Sequence, residues 1–297
     1  MKIFVTGASG WVGSAVVPEL LAAGHQVLGL ARSDGSAAAL TAAGADVHRG
    51  DLADLDSLRG GAKDADAVIH LAFHHDFENF SGAGELDRAA ITALGETLAD
   101  SGRPLVVTSG TAGHALGQVL TEDQAANPHS PRVSERAALA FVDRGVRVSI
   151  VRLAPSVHGN GDYGFVPRLV DVAREKGVSA YVGDGTNRWS AVHRDDAAVL
   201  FRLAAEGAPS GTVLHAIGEE GVPTRAIAET IGRGLGVPVT SMPAENAMDH
   251  FGWIGGFFSL DMPAGSAVTR ERFGWQPTGI GLLDDVERHY FEVRTTP

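Results

Sequence analysis

"TGASGWVG", residues 6–13, follows directly on the apolar run "KIFV" and leads into "SAVVPELLAAG". A strand that runs into closely spaced glycines and then at once into a helical pattern is the opening of a βαβ unit. Gly7 lets the chain turn tightly, Gly10 lets the backbone approach a pyrophosphate, and Gly13 lets helix and strand pack closely. The helix start then offers free N–H groups and a positive dipole end to the phosphates. Ser9, Trp11 and Val12 complete a loop expected to hold a dinucleotide.

The same alternation continues outward. Strands are expected at "QVLGLA" (26–31), "DVHR" (46–49), "AVIHLA" (67–72), "PLVVTS" (104–109) and "RVSIVRL" (147–153). Between them the spacing predicts helices near 35–43, 54–61 and 84–101, and one over "HSPRVSERAALAF" (129–141). Such alternation builds right-handed crossovers and a parallel sheet covered on both faces. The fold class is therefore α/β: a doubly wound Rossmann sheet with a smaller C-terminal substrate-binding lobe. Residues 1–155 form the cofactor-binding part, 156–297 are mainly the substrate lobe, and elements near 185–217 return to the sheet.

Composition narrows the function. The chain of 297 residues is 44% hydrophobic, enough for a sizeable core, and its formal charge of -12 argues against a nucleic-acid partner. No apolar run is long enough to span a membrane, and the N-terminus reaches glycine and serine too early for a secretory signal. Cysteine is absent, which excludes disulfides and thiolate chemistry. A cytoplasmic protein is expected. Lysine occurs only at 2, 63 and 176, and arginine supplies the rest of the 24 basic residues.

The second strand ends in "LARSDG". An acidic residue at this place holds the ribose 2′-OH of NAD, whereas an arginine suits the 2′-phosphate of NADP. Arg32, with Ser33 as a hydrogen-bond donor, points to NADP(H); the competing reading leaves Arg32 in solvent and gives the ribose to Asp34.

With these residues in place the chain resembles the extended and atypical short-chain dehydrogenase/reductases, related to the epimerase/dehydratase-like superfamily. Beside "TGASGWVG", the resemblance is carried by "RGDLADLDSL" (49–58), "HLAF" (70–73), "VVTSGTAG" (106–113) and "TEDQAANPHSP" (121–131). It continues through "RLAPSVHGNGD" (152–162), "SAVHRDDAA" (190–198) and "TRERFGWQP" (269–277). The resemblance implies that Asp51 and Leu52 contact the adenine and that Leu71, Ala72, Phe73 and Thr108 line the cofactor. It also implies that Pro155, Ser156, Val157 and His158 cover the nicotinamide, and that Ser109 or Thr111 serves the active site. A homodimer is compatible with it.

One departure stands out. The family opens its catalytic helix with Tyr-x-x-x-Lys, and alignment from Pro131 puts Arg132 and Arg136 at those positions. No register restores the pair, because residues 101–162 contain no tyrosine and 101–175 no lysine. A guanidinium stays charged near neutrality and cannot act as a general acid. Arg136 remains a candidate for ribose or phosphate; the competing expectation sends both arginines to solvent. Candidate replacement acids are Tyr163 in "GNGDYGF" and the histidines His114, His158 and His193, while Tyr181 and Tyr290 read as packing residues. "HHDFENF" (74–80) reads as a lid or substrate-facing loop, since adjacent histidines make a poor chelate. No metal is expected.

Two functions follow. The first is an NADPH-dependent oxidoreductase that reduces a carbonyl, imine or activated alkene of a small hydrophobic metabolite. The second is a non-catalytic NADP(H)-binding redox sensor or regulatory protein. A sugar-nucleotide epimerase or dehydratase is a third reading, disfavoured because that chemistry relies on the tyrosine.

Overall fold

The computed structural model describes residues 1–74, 79–112, 114, 116–128, 130 and 132–292. Twelve strands are present: β1 (Lys2–Thr6), β2 (Gln26–Ala31), β3 (Asp46–Arg49), β4 (Ala67–His70), β5 (Pro104–Gly110) and β6 (Arg147–Leu153) come first. They are followed by β7 (Ser156–His158), β8 (Ser179–Val182), β9 (Arg188–His193), β10 (Thr212–Ala216), β11 (Glu219–Pro223) and β12 (Val239–Met242). The α-helices are α1 (Gly13–Ala22), α2 (Asp34–Ala42), α3 (Leu55–Lys63), α4 (Phe80–Leu98), α5 (Ser134–Leu139) and α6 (Phe165–Lys176). Then come α7 (Arg194–Gly207), α8 (Thr224–Leu235), α9 (Ala247–Phe251), α10 (Ile254–Phe258), α11 (Ala267–Phe273) and α12 (Leu282–His289).

Seven strands pair in parallel in the order β10-β6-β5-β4-β1-β2-β3. The order reverses direction beside β1, and ligands of open α/β sheets bind at such a switch point, outside the carboxyl ends of the strands. Both faces are dry because crossovers lay helices on each. Val16 and Leu20 of α1, Leu40 of α2 and Phe201 of α7 cover one face. Leu58 of α3, Ile91 and Leu94 of α4 and Ala138 of α5 cover the other. The central strands accordingly read as near-continuous apolar runs such as Ile3-Phe4-Val5, all fully buried.

A second core gathers Val166 and Val170 of α6, Trp189 of β9, Ile227 of α8, Phe258 of α10 and Val286 of α12. Around it lie a three-stranded sheet, β11-β9-β7, and the pair β12-β8. After β9 the chain returns to the large sheet through α7 and adds β10 at its edge.

Two elements depart from the expectation. The long helix α4 starts at Phe80 rather than near 84, because Asn79 caps it by accepting from the Gly82 N–H at 3.2 Å. The helix expected over 129–141 is a short one, Ser134–Leu139. Its first residues turn inward: Ser134 donates to Asp87 at 2.5 Å and Glu135 binds Arg152 at 2.8 and 2.9 Å. These buried polar bonds set where the helix begins, a constraint that apolar spacing does not carry.

Candidate active site

The first glycine turn is built as its residue types demand. Gly7 has φ +66, and a Cβ there would lie 2.6 Å from the Ala72 nitrogen. A Cβ on Gly13 would lie 2.1 Å from the Gly7 carbonyl oxygen. The Gly10 N–H donates back to that same oxygen at 3.0 Å and closes the loop. The Trp11 indole donates to the Val157 carbonyl at 2.7 Å, tying this loop to the segment after β6. Arg194 stacks 4.2 Å above the indole, and Tyr163 meets its edge at 5.7 Å.

These loops bound a cleft of about 1390 Å³ along the carboxyl ends of the strands. One end is walled by Gly7, Ser9, Gly10, Trp11, Val12 and Gly13, with Leu30, Arg32, Ser36, Asp51 and Leu52 beside them. The middle is walled by Leu71, Ala72, Phe73, Thr108, Ser109, Pro155, Ser156 and Val157. The far end is walled by Phe165, Phe257 and Leu260, which pack against the second core, and by the exposed Tyr163, Met248 and Trp253. Phe165 contacts the Trp253 and Phe257 rings at 5.7 Å each. This aromatic pocket takes Trp253 and Phe257 from "DHFGWIGGFF" (249–258), whose five-residue helices are too short to show a period in the sequence.

The cleft fits a dinucleotide. A Cβ on Gly10 would project into the loop that cradles a pyrophosphate, and the buried hydroxyls Thr108 Oγ1 and Ser156 Oγ have no partner among the described residues. Such orphans on a cleft wall are explained by a ligand that bonds to them.

Several expected residues lie elsewhere. Ser33 caps α2 by accepting from the Ser36 N–H at 3.2 Å, so Ser36 rather than Ser33 reaches the cleft. Asp34 turns away to pair with Arg49 at 2.6 Å. Arg136 is exposed and donates to the Pro128 carbonyl, away from the cleft. Thr111 donates to the Leu153 carbonyl at 3.3 Å. Ser109 lines the cleft, but its hydroxyl bonds Glu135. Burial pushes the Glu135 carboxyl up, yet the bonds from Arg152 and Ser109 and the nearby His114 hold it below its ordinary value.

The histidines also lie behind the wall. His114 packs 3.8 Å from Glu135, and burial together with the Arg152 charge lowers its pKa. His158 is buried against Asp285 at 2.9 Å. His193 caps α7 through the Asp195 N–H. Tyr163 alone among the expected acids is on the wall, largely exposed at the mouth. Tyr290 is more than packing: its buried hydroxyl donates to Asp162 at 2.8 Å, and burial followed by the Asp162 charge pushes its pKa far up. The loop question at 74–80 falls mostly on residues 75–78, outside the described residues.

Against the expectation of a solvent-facing side chain, the Arg132 guanidinium lies 4.4 Å over the Phe73 ring, on the cleft wall beside the end of β5. The segment before α5 is not helical, so helical spacing gave no guide to its direction.

Residues 3–216 match the NAD dependent epimerase/dehydratase family. The chain belongs to that family. Among relatives of this epimerase/dehydratase chain, the uncharacterized protein YLL056C of Saccharomyces cerevisiae is 48% identical over 98% of the chain and 99% of the relative. A 2-alkyl-3-oxoalkanoate reductase of Stenotrophomonas maltophilia is 31% identical, covering 80% of this chain and 77% of that one. Among solved structures, DesIV, a dTDP-glucose 4,6-dehydratase of Streptomyces venezuelae with NAD and TYD bound, superposes with a TM-score of 0.77. At 22% identity, covering 98% of this chain and 96% of that one, it shares the epimerase/dehydratase fold.

Proposed function

We propose that the chain is an NADPH-dependent reductase of a carbonyl, imine or activated alkene on a small hydrophobic molecule. The observation that carries this reading is one continuous cleft joining the glycine loop and Arg32 at one end to an aromatic pocket at the other. Arg32 and Ser36 line the glycine-loop end of the cleft while Asp34, the competing ribose ligand, is paired with Arg49, which supports a 2′-phosphate at this end. The named reductase among the relatives supports the reaction class.

The bound nicotinamide supplies a hydride. Ser9, Trp11, Val12 and the glycines would hold the pyrophosphate, Asp51 and Leu52 the adenine, and Thr108, Ser156 and Val157 the nicotinamide half. The walls of Phe73, Phe165 and Phe257 position the apolar body of the substrate and limit water around it. As hydride adds to the carbonyl carbon, a proton must reach the oxygen. Tyr163, or water entering the open mouth beside it, delivers that proton. A positioned acid contributes roughly 10²–10⁴ in rate, so the reaction is slower but not abolished without one.

The extension of the cleft past the glycine loop to Phe165, Trp253 and Phe257 disfavours a purely cofactor-sensing role, which needs no such end. The absence of tyrosine from residues 101–162 disfavours a sugar-nucleotide epimerase, whose chemistry relies on that residue. The test is to offer purified protein and NADPH a panel of hydrophobic ketones, imines and enones. Consumption of NADPH with at least one is expected; binding of NADPH with no consumption across the panel contradicts the reading.

A further inference from the structure

Arg132 has a setting unlike that of the paired arginines in this chain. Its guanidinium stacks on Phe73 at 4.4 Å, and one N–H points at the Thr108 carbonyl across a long 3.4 Å. Its Nε is sealed from solvent and has no hydrogen-bond partner among the described residues. Among the described residues no carboxylate lies within ion-pair distance. The two acids whose charge it feels are already committed: Asp87 to His70 at 3.0 Å and Ser134 at 2.5 Å, Glu135 to Arg152 at 2.8 Å. Burial lowers its pKa, although a guanidinium remains charged in any folded protein.

Other arginines of this chain show what a settled one looks like. Arg152 forks onto Glu135, Arg188 onto Asp261, and Arg202 reaches Glu19 at 2.6 Å. A half-buried cation with no carboxylate in reach among the described residues is costly to hold, and a ligand that brings the counter-charge offsets that cost. The cofactor's phosphates are poorly placed for this. They belong at the loop after β1 and at Arg32 after β2, whereas Arg132 lies at the end of β5, on the other side of β1 in the sheet order. The substrate, entering at the aromatic end of the same cleft, is the candidate source of counter-charge.

The neighbours of Arg132 describe the remainder of that substrate. Phe73 lies under the guanidinium, and Phe165, Trp253, Phe257 and Leu260 continue the same wall. A planar fork amid aromatic faces suits a carboxylate attached to an apolar body, because the fork takes both carboxylate oxygens at once. We propose that Arg132 is a carboxylate receptor and that the substrate is a hydrophobic oxo acid. This rests on the reductase reading above. Reduction converts the oxo group to a hydroxyl, with hydride on carbon and a proton on oxygen, and the carboxylate held by Arg132 is unchanged.

The experiment compares two unreactive probes of the same shape, 4-phenylbutyrate and 4-phenylbutanamide. Each is titrated calorimetrically into the full chain saturated with NADP+, or with NAD+ if only that binds. The carboxylate is expected to bind tenfold to a hundredfold more tightly than the amide. Arg132→Gln should erase that preference while leaving cofactor affinity and amide binding in place, and Arg132→Lys should retain part of it. Where Arg132→Gln fails to fold, Arg132→Met, which keeps the length that packs on Phe73, makes the same comparison. Equal affinities in the unaltered protein, no binding of either probe, or a preference that survives removal of the guanidinium would overturn the proposal. NADPH consumption is read separately, so failure of the reductase reading is distinguishable from failure of the receptor.

Discussion

Arg32 and Tyr163 carry the two residue-level claims, and each is separable from the rest of the site. Arg32 is exposed at the end of β2, on the cleft wall and without an ion-pair partner among the described residues. Replacing it with alanine should weaken NADPH binding by about tenfold or more and NADH binding by less than about threefold, as expected for loss of a charge-assisted contact to one phosphate. Fluorescence titration with both cofactors checks this, and equal losses would return the 2′ position to NAD. Tyr163→Phe should lower turnover by about a hundredfold with NADPH affinity unchanged, if the phenol delivers the proton. Arg32 could be found from sequence because a strand end fixes where its side chain starts. Ser33 could not be told from Ser36, since which of them caps α2 depends on local backbone angles.

At the scale of elements, the glycine loop was the most legible part. Its constraints are local: a left-handed turn at Gly7 and a close approach at Gly13 are written in residue type and spacing. Gly13→Ala should abolish dinucleotide binding, because the added carbon meets backbone rather than a movable side chain; near-normal binding by calorimetry would refute that role. The segment leading to α5 was the least legible. Its course is set by Ser134 and Glu135 reaching partners on α4 and β6, contacts distant in sequence, and Arg132 follows that course. The loop carrying Tyr163 is likewise fixed from afar. Tyr290, just after α12, holds Asp162, and α12 itself supplies Asp285 to His158. Tyr290→Phe should cost about 1–3 kcal/mol of stability by leaving a buried carboxylate short of a donor. Chemical denaturation measures it, and an unchanged midpoint would mean Asp162 is satisfied without Tyr290.

Across the whole molecule, a buried polar line runs behind the cleft from Glu135 through Arg152 to His215, whose ring accepts from Arg152 at 3.2 Å and bonds the Gly265 carbonyl at 2.8 Å. Burial pushes His215 down to about 4. The unfolded chain takes up that proton near its usual pKa of about 6.5, so between those values only the unfolded state is protonated there. The stability held by neutral His215 is complete above about pH 6.5 and declines as pH falls toward 4. Thermal midpoints should drop through this window, with a shallower slope in His215→Gln; identical slopes would assign acid sensitivity to other groups. The parallel sheet was readable from alternation alone, whereas the cleft's aromatic end required segments distant in sequence, Phe165 and Trp253 among them, to meet. That meeting underlies the central claim, that a nicotinamide site and a hydrophobic substrate site form one reductase. The most direct measurement is NADPH oxidation at 340 nm (roughly the absorbance band of the reduced ring) by purified protein, with hydrophobic oxo acids and their neutral ketone counterparts in the panel. The account predicts substrate-dependent loss of NADPH; tight NADPH binding with no oxidation by any member would contradict it.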